Sequence, residues 1–244
     1  MTKLADNLER LEAAISEACR RAARPRGEVE LMAVTKTCSA ATIAEAAALG
    51  LSLFGENRVQ EFAAKAFDAT ALRSACGQEN LRVHLIGHLQ SNKAARAAEI
   101  FDGIDSLDSL RLAERLNEAA SKLAKRLPVL IEVKLSPEES KSGLNADSAE
   151  AAELLERLPD LVNLEVRGLM TIAPLGVAED ETRACFRRLS RLRERWAAAH
   201  PRLSLDVLSM GMSEDFALAI EEGATRIRVG TALFGARSAK RETA

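Results

Sequence analysis

The chain of 244 residues contains no tyrosine, one tryptophan, seven phenylalanines and three histidines. Without tyrosine, no phenol is on hand as a general acid or base. The four cysteines, Cys19, Cys38, Cys76 and Cys185, form no Cys-x-x-Cys pair and have no histidines clustered about them, so a zinc site has no support. No apolar run reaches membrane-spanning length, and the first residues read as a charged amphipathic helix instead of a signal peptide. A cytoplasmic protein with reduced thiols is the expectation. An excess of charge is also missing. Lys and Arg number 34 against 36 Asp and Glu, a net charge of −2, which argues against a general nucleic-acid surface. Arg20-Arg21 and Arg187-Arg188 fall in helical segments and read as solvated faces. With 47% apolar residues the chain can bury a large core, and disorder is excluded.

What is present is alternation. Leu4, Leu8, Leu11, Ile15 and Cys19 recur at helical spacing, predicting a helix over 3–23 that Pro25-Arg26-Gly27 stops. Strand-like segments follow at 30–36, 51–56, 81–86, 100–106, 128–135, 166–172, 205–210 and 226–234. Helical stretches lie between most of them, at 40–49, 57–72, 108–125, 147–157, 180–199 and 213–222, with a brief helix expected within 89–99. Eight such βα units fit a single closed (β/α)8 TIM-type barrel over about 28–237, preceded by the extra N-terminal helix. An open doubly wound sheet is the alternative. No Pro/Gly/Ser-rich linker divides the chain, which predicts one domain and a short C-terminal tail.

In such a barrel functional groups sit at the C-terminal ends of the strands. Lys36 ends the apolar segment Leu31-Met32-Ala33-Val34-Thr35, where desolvation can strip its proton and leave an amine able to attack an aldehyde. The loops after the last two segments, Ser209-Met210-Gly211 and Gly230-Thr231, offer hydroxyls and backbone N–H groups suited to a phosphate. Ser213 is placed to cap a helix over 213–222. Glu214 and Asp215 in its first turn would repel an anion, leaving the phosphate to Ser209, Gly211, Gly230 and Thr231. An amine and a phosphate cradle facing one cavity describe a pocket for an aldehyde bearing a phosphate, and pyridoxal 5′-phosphate is the obvious candidate. Each residue also has a bland reading. A strand-end lysine can be a solvated charge, and Gly230 can serve only a tight turn. His84 reads as a core or cavity-wall histidine, His88 as a residue of the cavity mouth, Cys38 as a small apolar filler, and 139–143 as a polar loop in which Lys141 could handle the aldehyde.

Seven ordered motifs carry a resemblance. They are Ala33-Val34-Thr35-Lys36, Phe54-Gly55-Glu56-Asn57, the run from His84 to Lys93, and Glu138-Glu139-Ser140-Lys141-Ser142-Gly143. Gly168-Leu169-Met170-Thr171-Ile172, the run from Leu208 to Ser213 and the run from Arg228 to Arg237 complete the set. Together, from about residue 4 to residue 237, the chain resembles the pyridoxal phosphate homeostasis protein family, also called the proline synthase co-transcribed homologue family. The resemblance implies a barrel of the alanine racemase N-terminal-domain type with pyridoxal phosphate held as a Schiff base on Lys36. It implies a phosphate cradle on Ser209, Gly211, Gly230 and Thr231, with Met210 in the same loop. It also implies Arg228 as the partner of the pyridine nitrogen and Asn57 as a nearby polar contact. Many relatives have an aromatic after Gly-Glu-Asn; this chain has Arg58, which puts a ring-stacking contact there in doubt.

The same site could serve a binder or an enzyme. A two-base racemase needs an acid/base on each face of the substrate, and the alanine racemases place a tyrosine there with the help of an added β domain. With no tyrosine and few residues after the eighth segment, the expectation is a binder. Such a protein buffers and delivers pyridoxal phosphate, as a monomer, with apo-forms of pyridoxal-phosphate enzymes as recipients. A racemase or transaminase-like enzyme using Cys38, His84 or Lys141 as base is the first alternative, and a Schiff-base aldolase acting on a sugar phosphate the second.

Overall fold

The computed structural model describes residues 2–66, 69–135 and 142–235. Eight parallel strands close into a barrel in sequence order: β1 (Glu30–Val34), β2 (Leu53–Glu56), β3 (Arg82–Leu85), β4 (Gly103–Leu107), β5 (Leu127–Glu132), β6 (Leu164–Met170), β7 (Val207–Ser209) and β8 (Arg226–Val229). Closure comes from β8 pairing with β1, Met32 opposite Arg228 and Ala33 opposite Val229, so the first and last strand ends are neighbours. The open-sheet alternative is thereby excluded.

Helices surround the barrel: α1 (Lys3–Arg21), α2 (Ala40–Ala48), α3 (Val59–Ala66), α4 (Ala69–Cys76), α5 (Ala94–Ile100), α6 (Leu110–Lys122), α7 (Ala149–Arg157), α8 (Glu179–Ala199), α9 (Phe216–Glu221) and α10 (Thr231–Phe234). Serine hydroxyls set several starts. Ser39, Ser109 and Ser148 accept from the N–H of Thr42, Leu112 and Ala151 at 3.2, 3.4 and 3.1 Å. Each such cap stabilises its helix by about 1 kcal/mol. The N-terminal α1 buries Leu4, Leu11, Ile15 and Cys19 and packs on α9 and α10, where Asn7 Nδ2 donates to Leu233 O at 2.8 Å. No helix among the described residues is long and apolar enough to cross a membrane.

Alternation along the strands separates two interiors. Ala33, Phe54, Val83, Ile104, Val129, Ile131, Leu169, Leu208, Ile227 and Val229 join the core shared with the helices. Met32, Val34, Leu53, Leu130 and Met170 are buried but stand apart from that core, inside the barrel. The rest of the barrel interior is polar, and it is layered.

Three expected elements differ. The segment 226–234 is not one strand: β8 stops at Val229, and 231–234 form α10. A short apolar run reads equally as strand or helix, and docking of Leu233 beside α1 decides it. The helix expected over 57–72 is two, α3 and α4, with α4 reaching Cys76. The helix expected from 213 begins at Phe216. Strands are also shorter than expected, so Lys36 lies two residues beyond β1.

Candidate functional site

Lys36 sits in a turn over residues 35–38, closed by the Cys38 N–H donating to Thr35 O at 2.9 Å. Met32 and Val34 face the interior, and half-buried Lys36 follows in the turn just past the C-terminal end of β1. Because β1 pairs with β8, this turn stands beside Gly230 and Thr231; a Cβ built on Gly230 would lie 3.3 Å from Val34 O. Gly230 has helix-like torsions and opens α10, whose first N–H groups have no acceptor within the helix. The Ala232 N–H donates to Ser213 Oγ at 3.2 Å. Ser213 therefore ties the β7 loop to α10 and does not cap α9. Asp215 precedes α9 and turns its carboxylate onto its own loop, accepting from Met212 N–H at 2.5 Å. Burial pushes the Asp215 carboxyl above the usual range, against that hydrogen bond and the pull of Arg228.

Ser209 and Arg228 meet inside the barrel. Arg228, 4% exposed, donates to Ser209 Oγ at 2.8 Å and to Thr171 O at 2.8 Å. Burial pulls the guanidinium below its usual value while Asp105, Glu132 and Asp215 favour its charge; it remains a cation at neutral pH. Glu132, also near this group, is 3% exposed. Its Oε1 accepts from Ser142 Oγ at 3.0 Å, and its Oε2 has no partner among the described residues. Burial holds the Glu132 carboxyl above the usual range, helped by Asp108 and opposed by Ser142, Arg228 and His88. Sequence reasoning missed Glu132, although a lone carboxylate ending the run Leu-Pro-Val-Leu-Ile was a usable signal.

The other candidates divide. Gly211, at φ +91°, lets α9 approach: a Cβ there would lie 2.9 Å from Phe216 Cα and 2.6 Å from Ala219 Cβ. Its carbonyl accepts the Arg228 N–H at 2.9 Å. Met210 points its side chain into the outer core, and its N–H donates to Arg226 O at 3.1 Å, so a ligand could meet only its carbonyl. Asn57 is exposed at the mouth, its backbone so close to Gly87 that a Cβ on that glycine would meet Asn57 O at 2.1 Å. His88, also exposed, lies 3.1 Å from Asp108.

His84 is not at the mouth. It sits in the N-terminal layer of the interior, 2.8 Å from Asp105, which contacts Arg226 at 3.1 Å; Arg226 contacts Glu30 at 2.8 Å. These groups line a cavity of about 330 Å³ at the opposite end of the barrel. Cys38 is half-buried, and burial raises its thiol above the usual value against the pull of Lys65, so at neutral pH it is no base. Lys141 lies outside the described residues.

The donor set suits an aldehyde bearing a phosphate. A lysine and backbone N–H groups stand at adjacent strand ends, a buried cation lies beneath them, and a carboxyl oxygen without a partner among the described residues lies nearby. Comparison with known proteins agrees. Residues 7–238 match the family model for the alanine racemase N-terminal domain. A pyridoxal phosphate homeostasis protein of Pseudomonas aeruginosa is 42% identical over 238 residues, covering 97% of each chain. The structure of PipY from Synechococcus elongatus PCC7942, with PLP bound, has 42% identity and a TM-score of 0.80, covering 96% of this chain and all of that one. An alanine racemase of Clostridium difficile matches at 15% identity and a TM-score of 0.72 over 57% of its own length, a likeness of fold alone.

Proposed function

The chain belongs to the pyridoxal phosphate homeostasis protein family, and from that premise we propose that it binds pyridoxal 5′-phosphate through Lys36 to buffer and deliver it. The observation that carries this reading is the adjacency of the Lys36 turn to Gly230 and Thr231 across the β1–β8 closure. Pyridoxal phosphate supplies an aldehyde that a deprotonated amine can condense with. Lys36 would supply the amine for that condensation, with loss of water. Gly230, Thr231 and the neighbouring Ser213–Ala232 tie hold the phosphate, with Ser209 and Gly211 supporting from beneath. Arg228 faces the ring nitrogen. As a cation with donors only, it keeps that nitrogen an acceptor. Asn57 lines the mouth, and Met210 contributes its carbonyl at most.

Delivery without turnover follows from what surrounds the lysine. A ring nitrogen facing a permanent cation makes a weak electron sink. Of the three side chains expected as a second base, Cys38 stays a thiol, His84 is bonded to Asp105 in the far layer, and Lys141 lies outside the described residues. The reading takes the chain as one domain, a cytoplasmic monomer whose recipients are apo-forms of pyridoxal-phosphate enzymes.

The test is the visible spectrum of the protein after addition of pyridoxal phosphate, repeated with Lys36→Ala. A band in the parent that is lost in the variant is expected, with the variant's stability within about 1 kcal/mol of the parent. No band in the parent sinks the reading. An undiminished band in Lys36→Ala moves the attachment to another lysine.

A further inference from the structure

The turn that carries Lys36 is held from behind the barrel wall by three charged side chains of the second βα unit. Thr37, next to Lys36, has φ +70°, a left-handed conformation that a β-branched side chain resists and that surrounding contacts must impose. Those contacts are present. Lys65, 13% exposed on α3, donates to Thr35 O at 2.8 Å and reaches Cys38 O at 3.4 Å, the two carbonyls flanking Lys36 and Thr37. The same ammonium lies 2.7 Å from Glu56 Oε1 at the end of β2, where Thr35 Oγ1 also donates at 2.6 Å. One turn back on α3, Glu61 Oε1 accepts the Thr37 N–H at 2.6 Å and lies 3.9 Å from Lys65. Glu56 is fully buried, and its other oxygen has no partner among the described residues; burial pushes its carboxyl above the usual range, against the pull of Lys65 and Thr35.

We propose that Lys65, with Glu56 and Glu61, is a positioning clamp that fixes the Lys36 turn for condensation with an aldehyde. The proposal rests on Lys36 being the lysine that condenses. An ammonium has three donors, and on Lys65 they face Thr35 O, Cys38 O and Glu56. Removing the Lys65 side-chain nitrogen would take from buried Glu56 its 2.7 Å contact and from Thr35 O and Cys38 O their shared donor. Glu61 and Lys65 stand four residues apart on one helical face, which is why both reach the same turn.

The experiment compares Lys65→Met, Lys65→Arg, Glu61→Ala and Lys36→Ala with the parent. Two quantities are read: the rate and extent of the visible band after adding pyridoxal phosphate, and amide hydrogen exchange at residues 35–38 in the cofactor-free proteins. Lys65→Met is expected to slow band formation by about tenfold or more, since small misplacements of a reacting group carry penalties of that order. It should speed exchange in the turn while the distant strands β4 to β6 exchange as in the parent. Lys65→Arg should recover part of both, and Glu61→Ala should speed exchange at Thr37 even if Lys65→Met fails to fold. Band formation and turn exchange at parental values in both Lys65→Met and Glu61→Ala would overturn the clamp while leaving Lys36 in its role. An undiminished band in Lys36→Ala would overturn the assignment of Lys36 and the clamp's purpose with it.

Discussion

The Arg228 guanidinium donates to the Ser209 hydroxyl at 2.8 Å inside a barrel whose wall excludes both from solvent. The pair joins the end of β7 to β8 and sets a fixed cation beneath the mouth. A second arm on Thr171 O locks its orientation, so the guanidinium is positioned before any ligand arrives.

Replacing Arg228 with Gln keeps a donor but removes the charge and one side of this fork. Weaker retention of pyridoxal phosphate is expected, with the Lys36 band still detectable. In the parent, hydrogen exchange at Cα of a panel of amino acids in deuterated water should fall well below the roughly 1 s⁻¹ typical of enzymes. Exchange at that rate would promote the racemase alternative.

Thr231→Val removes a hydroxyl at the exposed start of α10 while keeping shape. Loss of one charge-assisted hydrogen bond to phosphate should weaken retention about ten- to a hundredfold, or roughly 1.5–3 kcal/mol. Pyridoxal without the phosphate should bind parent and variant alike. If it weakens equally in the variant, Thr231 touches something other than phosphate.

Glu132→Gln tests the buried carboxyl. Its pKa is raised in the folded protein, so the unfolded chain ionises first as pH rises through the ordinary carboxylate value of about 4.3. Stability is therefore lost as pH climbs from there through the folded pKa. The Gln variant should match the parent near pH 4 and exceed it near pH 8. Urea unfolding across that range measures the difference, and a gap that is constant with pH would mean Glu132 ionises equally in both states.

Asp105 titrates with the opposite sign. Burial opposes its charge, but His84 and Arg226 hold its pKa below the usual value. Its contribution is thus present above about pH 3.9, the unfolded value, and is lost only as pH falls through the lower folded one. Asp105→Ala leaves Arg226 with Glu30 alone in the interior and should cost about 3–5 kcal/mol at neutral pH. Denaturant titration of the variant measures it. A cost below about 1 kcal/mol would indicate that water enters the N-terminal cavity and solvates Arg226.

The sequence by itself determined the alternation of elements, the extra N-terminal helix and the reactive candidates at strand ends, because period-2 and period-3.6 patterning and strand-end chemistry are local properties. Lys36, Gly230 and Thr231 were singled out as candidates on that basis, and the pairing of β1 with β8 sets their strand ends side by side. Tertiary structure decided what depends on a distant neighbour. Residues 231–234 form α10 because Leu233 docks against α1, more than two hundred residues away in the chain. Ser213, which local spacing assigns to a helix cap, bonds Ala232 across two loops. His84 has a strand address that places it in the barrel, but only closure sets it against Asp105 and Arg226 in the far layer. Lys65 and Glu61 read locally as one more exposed helical ion pair, and it is the packing of α3 behind β1 and β2 that turns them onto the carbonyls and N–H of the Lys36 turn. Patterning records which face of an element is buried, whereas the partner of a buried polar group is chosen by chain segments that no local window contains.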